Sequence, residues 1–146
     1  MENKTILWGV MNKLKLSDCS FTERIISQKT IYLLQEFGLQ TTYDFKWYNY
    51  GVYSGELADA MFSSNPNQIS ITPLNPDSEE VINKLASFTG EDIKNPLFLE
   101  VASSILFIRK TNPLLKKDEV YEALLSKKPH LDNREQFDII FEKLSI

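Results

Sequence analysis

The side chains best suited to chemistry are scarce in this sequence, which contains a single cysteine, Cys19, and a single histidine, His130. Nucleophilic catalysis requires a nucleophile, a base and a group that orients the base. Both residues lie at predicted helix boundaries, and neither stands in a pattern typical of an activated nucleophile. One cysteine and one histidine are also too few for a zinc site, and no glycine-rich phosphate-binding pattern is present. We therefore expect no catalytic residue, no metal ion and no cofactor.

Two charged residues lie where the apolar pattern predicts the protein core. Lys29 falls within the stretch IISQKTIYLL, and Glu100 falls within LFLEVASSIL. Burying a lone charge costs on the order of several kcal/mol. If both segments are central helices, Glu100 is expected to bond either Lys29 or a nearby polar group, such as the amide of Gln28 or the hydroxyl of Tyr48. The alternative is that both charges reach water along a helix edge, and the sequence leaves the two interpretations open.

The overall charge bears on nucleic-acid binding. The net charge is −4, and nucleic-acid binding depends on lysine and arginine, so a broad nucleic-acid surface is not expected. The segment 109–130 is an exception, because it carries six basic and three acidic side chains. A local basic face would consist of Lys116, Lys117, Lys127 and Lys128. The other interpretation of this charge run is a solvated helical surface.

The single cysteine and the first apolar run indicate the compartment. Cys19 has no second cysteine for an intrachain disulfide, which fits a reducing compartment. The run ILWGVM has six residues, which is too short for the core of a signal peptide or for a membrane span. We expect a cytoplasmic protein that does not enter a membrane.

Two apolar helices are expected at the centre of the fold. The first begins after a capping box formed by Ser20 and Glu23 and ends at Gly38, which can adopt the left-handed conformation of a helix stop. The second begins at Pro96, a residue favoured at the first helical position, and contains the apolar run 97–108. That run is too short to span a bilayer.

The other elements complete a mainly α fold. The length of 146 residues fits one domain over 1–146. Alternating segments at 43–50 and 68–74 predict two strands, which could pair as a small antiparallel ribbon across the helix between them. Helical periodicity predicts further helices over 5–16, 55–64, 77–88, 116–125 and 133–144. We therefore expect a single-domain bundle of about seven helices around two central apolar helices, with a small two-stranded β-ribbon.

Aromatic residues are concentrated in the segment FKWYNYGVYSGEL, residues 45–57. Alternate side chains of a strand face opposite ways, so Phe45 and Trp47 are expected to pack on the core while Tyr48 and Tyr50 face outward. The hydroxyls of the two outward tyrosines need a hydrogen-bond partner or water. A surface that recognises a partner and a structural hydrogen bond within the protein are therefore about equally good interpretations of these tyrosines.

Several of these segments together resemble one family. They are QKTIYLLQ at 28–35, WYNYGVYS at 47–54, ELADAMF at 56–62, LEVASSILFIRK at 99–110, and the later Lys128–Pro129 before an amphipathic helix. In this order they are similar to the YwgA-like and Panacea (SocA-like antitoxin) group. The chain departs from the family pattern at Val52, where the family has a proline that would fix the turn before the next helix.

The resemblance implies a mostly helical module without recognised catalytic residues. Panacea proteins bind and neutralise a partner and in some cases deliver it to a protease. We therefore expect a non-enzymatic protein-interaction module, an antitoxin or adaptor, that holds a protein such as a toxin near Tyr48, Tyr50, Val52 and Tyr53. The alternative is a nucleic-acid-binding regulator that uses 109–130. An aromatic surface of this kind also favours self-association into a homodimer.

Overall fold

The computed structural model describes residues 2–49 and 51–144. In these ranges the chain forms eight α-helices, one antiparallel ribbon of two strands and two short 3-10 helices. The elements are α1 (Asn3–Leu14), α2 (Phe21–Glu36), β1 (Lys46–Tyr48), β2 (Gly51–Tyr53), α3 (Gly55–Phe62), α4 (Pro66–Ile71), α5 (Pro76–Thr89), α6 (Pro96–Thr111), α7 (Lys117–Lys127) and α8 (Arg134–Leu144), with 3-10 turns at Gly90–Lys94 and Pro129–Leu131. The predicted mainly α fold with a small ribbon is confirmed, with eight helices in the described ranges rather than about seven.

The two central helices begin where the sequence predicts. The hydroxyl oxygen of Ser20 accepts a hydrogen bond from the backbone N–H of Glu23, 3.1 Å away, and so caps α2. The side chain of Asn95 accepts the N–H groups of the second and third residues of α6, with Pro96 at the first position. Helix α2 is buried on all sides over 27–34, α6 is buried along most of its length, and the two pack against each other at the centre of the molecule.

Helices α2 and α6 run in the same direction. In the C-terminal half of both helices, the Tyr32 and Phe107 ring centroids are 6.3 Å apart. Towards their C-terminal ends, Glu36 forms an ion pair with Lys110 at 3.0 Å. Their N-terminal ends therefore lie on the same side of the molecule.

The predicted pairing of the ribbon is wrong. Strands β1 and β2 both lie within the aromatic segment and pair with each other, with Trp47 opposite Val52. Residues 68–74, predicted as the second strand, belong instead to helix α4 and the chain that follows it. Asn65 caps this helix by accepting the Asn67 N–H at 2.8 Å, and Pro66 occupies its first position. A capped start with proline at N1 favours a helix over a strand.

The remaining helices pack around the central pair. Buried apolar side chains from every described helix except α4 form one cluster. Helix α8 is amphipathic, because Phe137 and Ile140 are buried on one face while Ile139 between them is exposed on the other. No helix in the described part of the chain is both long and apolar enough to cross a membrane.

Candidate functional site

The ribbon has a face towards the core and a face towards solvent, as its alternation predicts. Trp47 is half-buried, with its ring centroid 5.8 Å from that of Phe107. On the other face, Tyr48 is 50% exposed and its ring meets that of Tyr53 edge-on at 5.5 Å. We call Tyr48 and Tyr53 the tyrosine pair. Aromatic pairs in this geometry attract each other by about 1 kcal/mol, so the pair forms a preorganised aromatic surface.

The other two residues assigned to a partner surface differ from the tyrosine pair. Val52 is 1% exposed and packs beneath the ribbon, so its side chain is not available to a partner while the ribbon is in place. Valine fits here because its apolar side chain is removed from water. Tyr50 lies outside the described residues.

A buried glutamine fixes the end of the ribbon to α2. The side-chain oxygen of Gln28 accepts the backbone N–H of Ser54 at 2.8 Å, and its amide nitrogen donates to the Ser54 carbonyl at 2.9 Å. The Ser54 hydroxyl oxygen in turn accepts the N–H of Leu57 at 3.1 Å and caps α3. Both Gln28 and Ser54 are buried. One side chain therefore sets the position of the ribbon end and of the helix that follows it.

Two buried lysines hold the turn of the ribbon. The Lys29 ammonium donates to the carbonyl of Val52 at 3.5 Å, and the Lys128 ammonium donates to the carbonyl of Asn49 at 3.3 Å. Gly51 lies between them, at φ +90°. A Cβ atom at this position would stand 3.4 Å from the Lys29 Nζ. Glycine is favoured here because of this positive φ, which other residues rarely adopt.

Glu100 supplies the negative charge of this cluster. Its carboxylate forms an ion pair with Lys128 at 3.1 Å and a hydrogen bond with the His130 ring at 3.3 Å. It also acts electrostatically on Lys29, whose pKa it raises. The interpretation in which both charges reach water is excluded for Lys29, which is 1% exposed. The sequence did not predict that Lys128 would be the ion-pair partner. We call Lys29, Glu100 and Lys128 the buried charge cluster.

The pKa of Lys29 is lowered from near 10.5 to about 8. Burial is the largest cause, because a buried ammonium loses hydration; Glu100 raises the pKa and Lys128 lowers it. Two buried tyrosines behave in the opposite way. Burial, followed by the charge of Glu56, raises the pKa of Tyr43 to about 12, and burial raises that of Tyr32 as well.

These shifts predict an unusual dependence of stability on pH. Between pH 8 and 10 the unfolded chain binds a proton at residue 29 that the folded chain releases, so the free energy of unfolding should rise, by about 2 kcal/mol. Above pH 10 it should fall, because unfolded tyrosines ionise before the buried Tyr32 and Tyr43. Urea denaturation from pH 7 to 11 measures this profile. The Lys29→Met variant should lack the rise, and a wild-type profile that is flat or falling from pH 8 to 10 would contradict it.

A pocket of about 560 Å³ opens beside the ribbon turn, at the N-terminal ends of α2 and α6. Its polar lining consists of Asn49, His130 and the three members of the buried charge cluster. Its apolar lining consists of Phe21, Ile25, Pro96 and Leu97. A pocket of this size with an apolar wall and a few convergent polar groups is typical of a small-molecule or peptide-end site.

The four lysines assigned to a basic face do not share one exposed surface. Lys128 is buried in the charge cluster, and Lys117 forms ion pairs with two carboxylates of α8. Lys127 is exposed and lies over the Trp47 ring, 5.4 Å from its centroid. Lys116 is exposed at the start of α7.

His130 and Cys19, the residues considered for catalysis and metal binding, have different surroundings. His130 contacts Glu100, and Cys19 is exposed in the turn before α2. Across 2–49 and 51–144, no three His, Cys, Asp or Glu side chains are grouped so that they could hold a metal ion.

A scan against protein-family models, a search of curated proteins and a search of solved structures each found no match to this chain.

Proposed function

We propose that this chain is a non-enzymatic protein-interaction module, an antitoxin or adaptor acting in the cytoplasm, that binds its partner through the tyrosine pair. The observation that carries the proposal is the edge-on contact of these two rings, with Tyr48 exposed and Tyr53 half-buried, on a ribbon whose back is fixed. Tyr48 is half exposed, and the strands behind it are held by Gln28 and by the buried lysines. Tyrosine is enriched at binding hot spots because it offers a large contact area with little rotamer entropy to lose.

The resemblance to the YwgA-like and Panacea group supports the same proposal. Three of the segments that carry the resemblance, 28–35, 47–54 and 99–110, contribute to the ribbon or to the two helices beneath it. A rigid support matters for binding, because a preorganised surface loses less conformational entropy when the partner docks.

The alternative function, nucleic-acid binding through 109–130, has less support. Of the four lysines in that proposal, Lys128 and Lys117 are already paired with carboxylates. Neutralised lysines release few counterions from a nucleic acid. We expect no DNA binding that weakens steeply with added salt, and a fluorescence anisotropy titration at two salt concentrations distinguishes the two functions.

The proposal predicts that binding depends on the tyrosine pair. Tyr48→Ala and Tyr53→Ala should each weaken the complex by about 2 kcal/mol, or about thirtyfold in dissociation constant. The assay is quantitative pull-down from the native cell with tagged wild-type and variant proteins, followed by calorimetry on the identified partner.

A matched control is Phe62→Ala, which removes an aromatic ring that is 87% exposed at the end of α3. This variant should bind the partner like the wild type. Equal capture by the wild type and both tyrosine variants would contradict the proposal, and so would loss of capture in Phe62→Ala alone.

A further inference from the structure

The described lining of the pocket beside the ribbon turn carries a net positive charge. Its described lining carries two ammonium groups, Lys29 and Lys128, against one carboxylate, Glu100. The carbonyls of Asn49 and Val52 accept hydrogen bonds from these ammonium groups, but a carbonyl carries no net charge. Both lysines are more than nine-tenths buried, so water screens the excess positive charge poorly. The described lining therefore presents a positive potential, which favours a negatively charged ligand.

Two helices add to the positive potential of the pocket. Phe21 is the first residue of α2, Pro96 is the first residue of α6, and both line the pocket. Each helix has sixteen residues, and the N-terminus of a helix carries a partial positive charge of about half an elementary unit. Because α2 and α6 run in the same direction, both positive ends lie at the same pocket. This local potential opposes the net charge of −4 of the whole chain.

The outer part of the pocket is apolar. Phe21 is 51% exposed and Leu97 is 45% exposed, and both are large apolar side chains at the same opening. Ile25 and Pro96 extend this wall. Exposed apolar side chains grouped at a concave site are typical of a ligand-binding surface. The pocket therefore combines a positive interior with an apolar entrance.

We propose that this pocket binds a carboxylate that is attached to an apolar group, with Lys29 and Lys128 as its charge partners and Phe21 and Leu97 in contact with the apolar part. Two sources share this chemistry: a small free carboxylic acid, and the C-terminal carboxylate of a peptide whose last side chain is apolar. The site goes beyond the function proposed above and does not depend on the tyrosine pair.

The direct test is a calorimetric titration of the full chain with hexanoate and with hexan-1-ol, which has the same chain length but no charge. Hexanoate should bind and hexan-1-ol should bind more weakly by about tenfold or more, because charge-assisted contacts to lysine are lost. Lys29→Met and Lys128→Met should each weaken hexanoate binding by about tenfold, while the exposed Lys13→Met should leave it unchanged.

The variant Glu100→Gln separates an electrostatic role from general damage to the fold. This change removes the carboxylate that competes with the ligand for the lysines, so hexanoate should bind more tightly than to the wild type. Damage to the pocket would weaken binding instead. The folded state of each variant is checked by circular dichroism. If Glu100→Gln does not fold, the hexanoate affinities of the two lysine variants decide the outcome.

Binding should also depend on pH in a way that a surface lysine would not produce. The charged groups that face Lys29 are Glu100 of α6 and Lys128 after α7, with His130 on the far side of Glu100. Because the pKa of Lys29 is about 8, hexanoate affinity should fall between pH 7 and 9. Lysines on the surface would keep their charge, and the affinity they support, to above pH 10.

A peptide comparison identifies the source of the carboxylate. A tripeptide ending in leucine with a free C-terminus is titrated beside its C-terminal amide. Tighter binding of the free-acid peptide than of hexanoate assigns a chain end, and the reverse order assigns a small acid. The proposal is overturned if neither acid binds more tightly than its uncharged counterpart, or if both lysine variants bind hexanoate like the wild type. Tyr48→Ala should bind hexanoate normally, so failure here is distinguishable from failure of the partner-binding proposal.

Discussion

Replacing Gln28 by alanine is expected to lower the free energy of unfolding by about 4 kcal/mol. The change leaves two buried backbone groups of Ser54, its N–H and its carbonyl, without the partners they have in the wild type. Each unsatisfied buried group costs about 1–3 kcal/mol, and the lost side-chain volume adds a cavity cost. The same change should loosen the ribbon end, since Ser54 joins β2 to α3. Urea denaturation followed by circular dichroism measures the free energy.

Two further variants control this prediction. Gln28→Glu keeps the size and can still accept the Ser54 N–H, but it cannot donate to the Ser54 carbonyl when ionised, so it should remain well below the wild type. Gln40→Ala removes an exposed glutamine and should change the free energy by less than about 0.5 kcal/mol. A Gln28→Ala variant whose free energy of unfolding lies within about 1 kcal/mol of the wild type would show that the two Gln28–Ser54 hydrogen bonds contribute little to stability.

Replacing Glu100 by glutamine is expected to destabilise the protein by about 3 kcal/mol at pH 7. Glutamine keeps the size of the side chain and removes only the negative charge. Lys128, with a side chain 7% exposed, then loses its ion-pair partner, and Lys29 loses the charge that raises its pKa. The deficit should shrink above pH 8, because Lys29 can then lose its proton. Thermal and urea denaturation at pH 7 and pH 9 give the comparison.

A second pair of variants shows whether charge is the cause. Adding Lys128→Met to Glu100→Gln removes the uncompensated ammonium and should restore most of the lost stability. Glu36→Gln breaks an ion pair with Lys110, which is 63% exposed, and should cost less than about 1 kcal/mol. If Glu100→Gln costs no more than Glu36→Gln, the buried charge cluster does not contribute to stability in the way proposed here.

The central helices could be predicted from the sequence because their signals are local. The Ser20 cap, the Asn95 cap and Pro96 all act within one helical turn. Residues 68–74 were predicted wrongly because QISITPL alternates like a strand, although Asn65–Pro66 carries the same start signal as Asn95–Pro96. Asn75–Pro76 begins α5 in the same way. In this chain, an Asn-Pro dipeptide is therefore a better predictor of local structure than a short alternating run. At Pro66–Ile71 the chain forms a helix despite the short alternating run.

The candidate site could be predicted only in part, because its contacts join distant segments. The aromatic face and the burial of Trp47 followed from period-two alternation. The partner of Glu100 did not, because Lys128 arrives from a separate helix end and carries no local sign of burial. Asn49 and Gly51 are residue types that favour turns, and the chain turns back between Tyr48 and Gly51.

The bond from Lys128 to the Asn49 carbonyl joins residues that are 79 positions apart. During synthesis the aromatic segment leaves the ribosome long before residue 128 does. Contacts of such high sequence separation form late, because a long loop must close first. The ribbon therefore lacks one of its two ammonium supports until residue 128 has been made, and a nascent chain stalled before α7 would present its tyrosines on an incomplete surface.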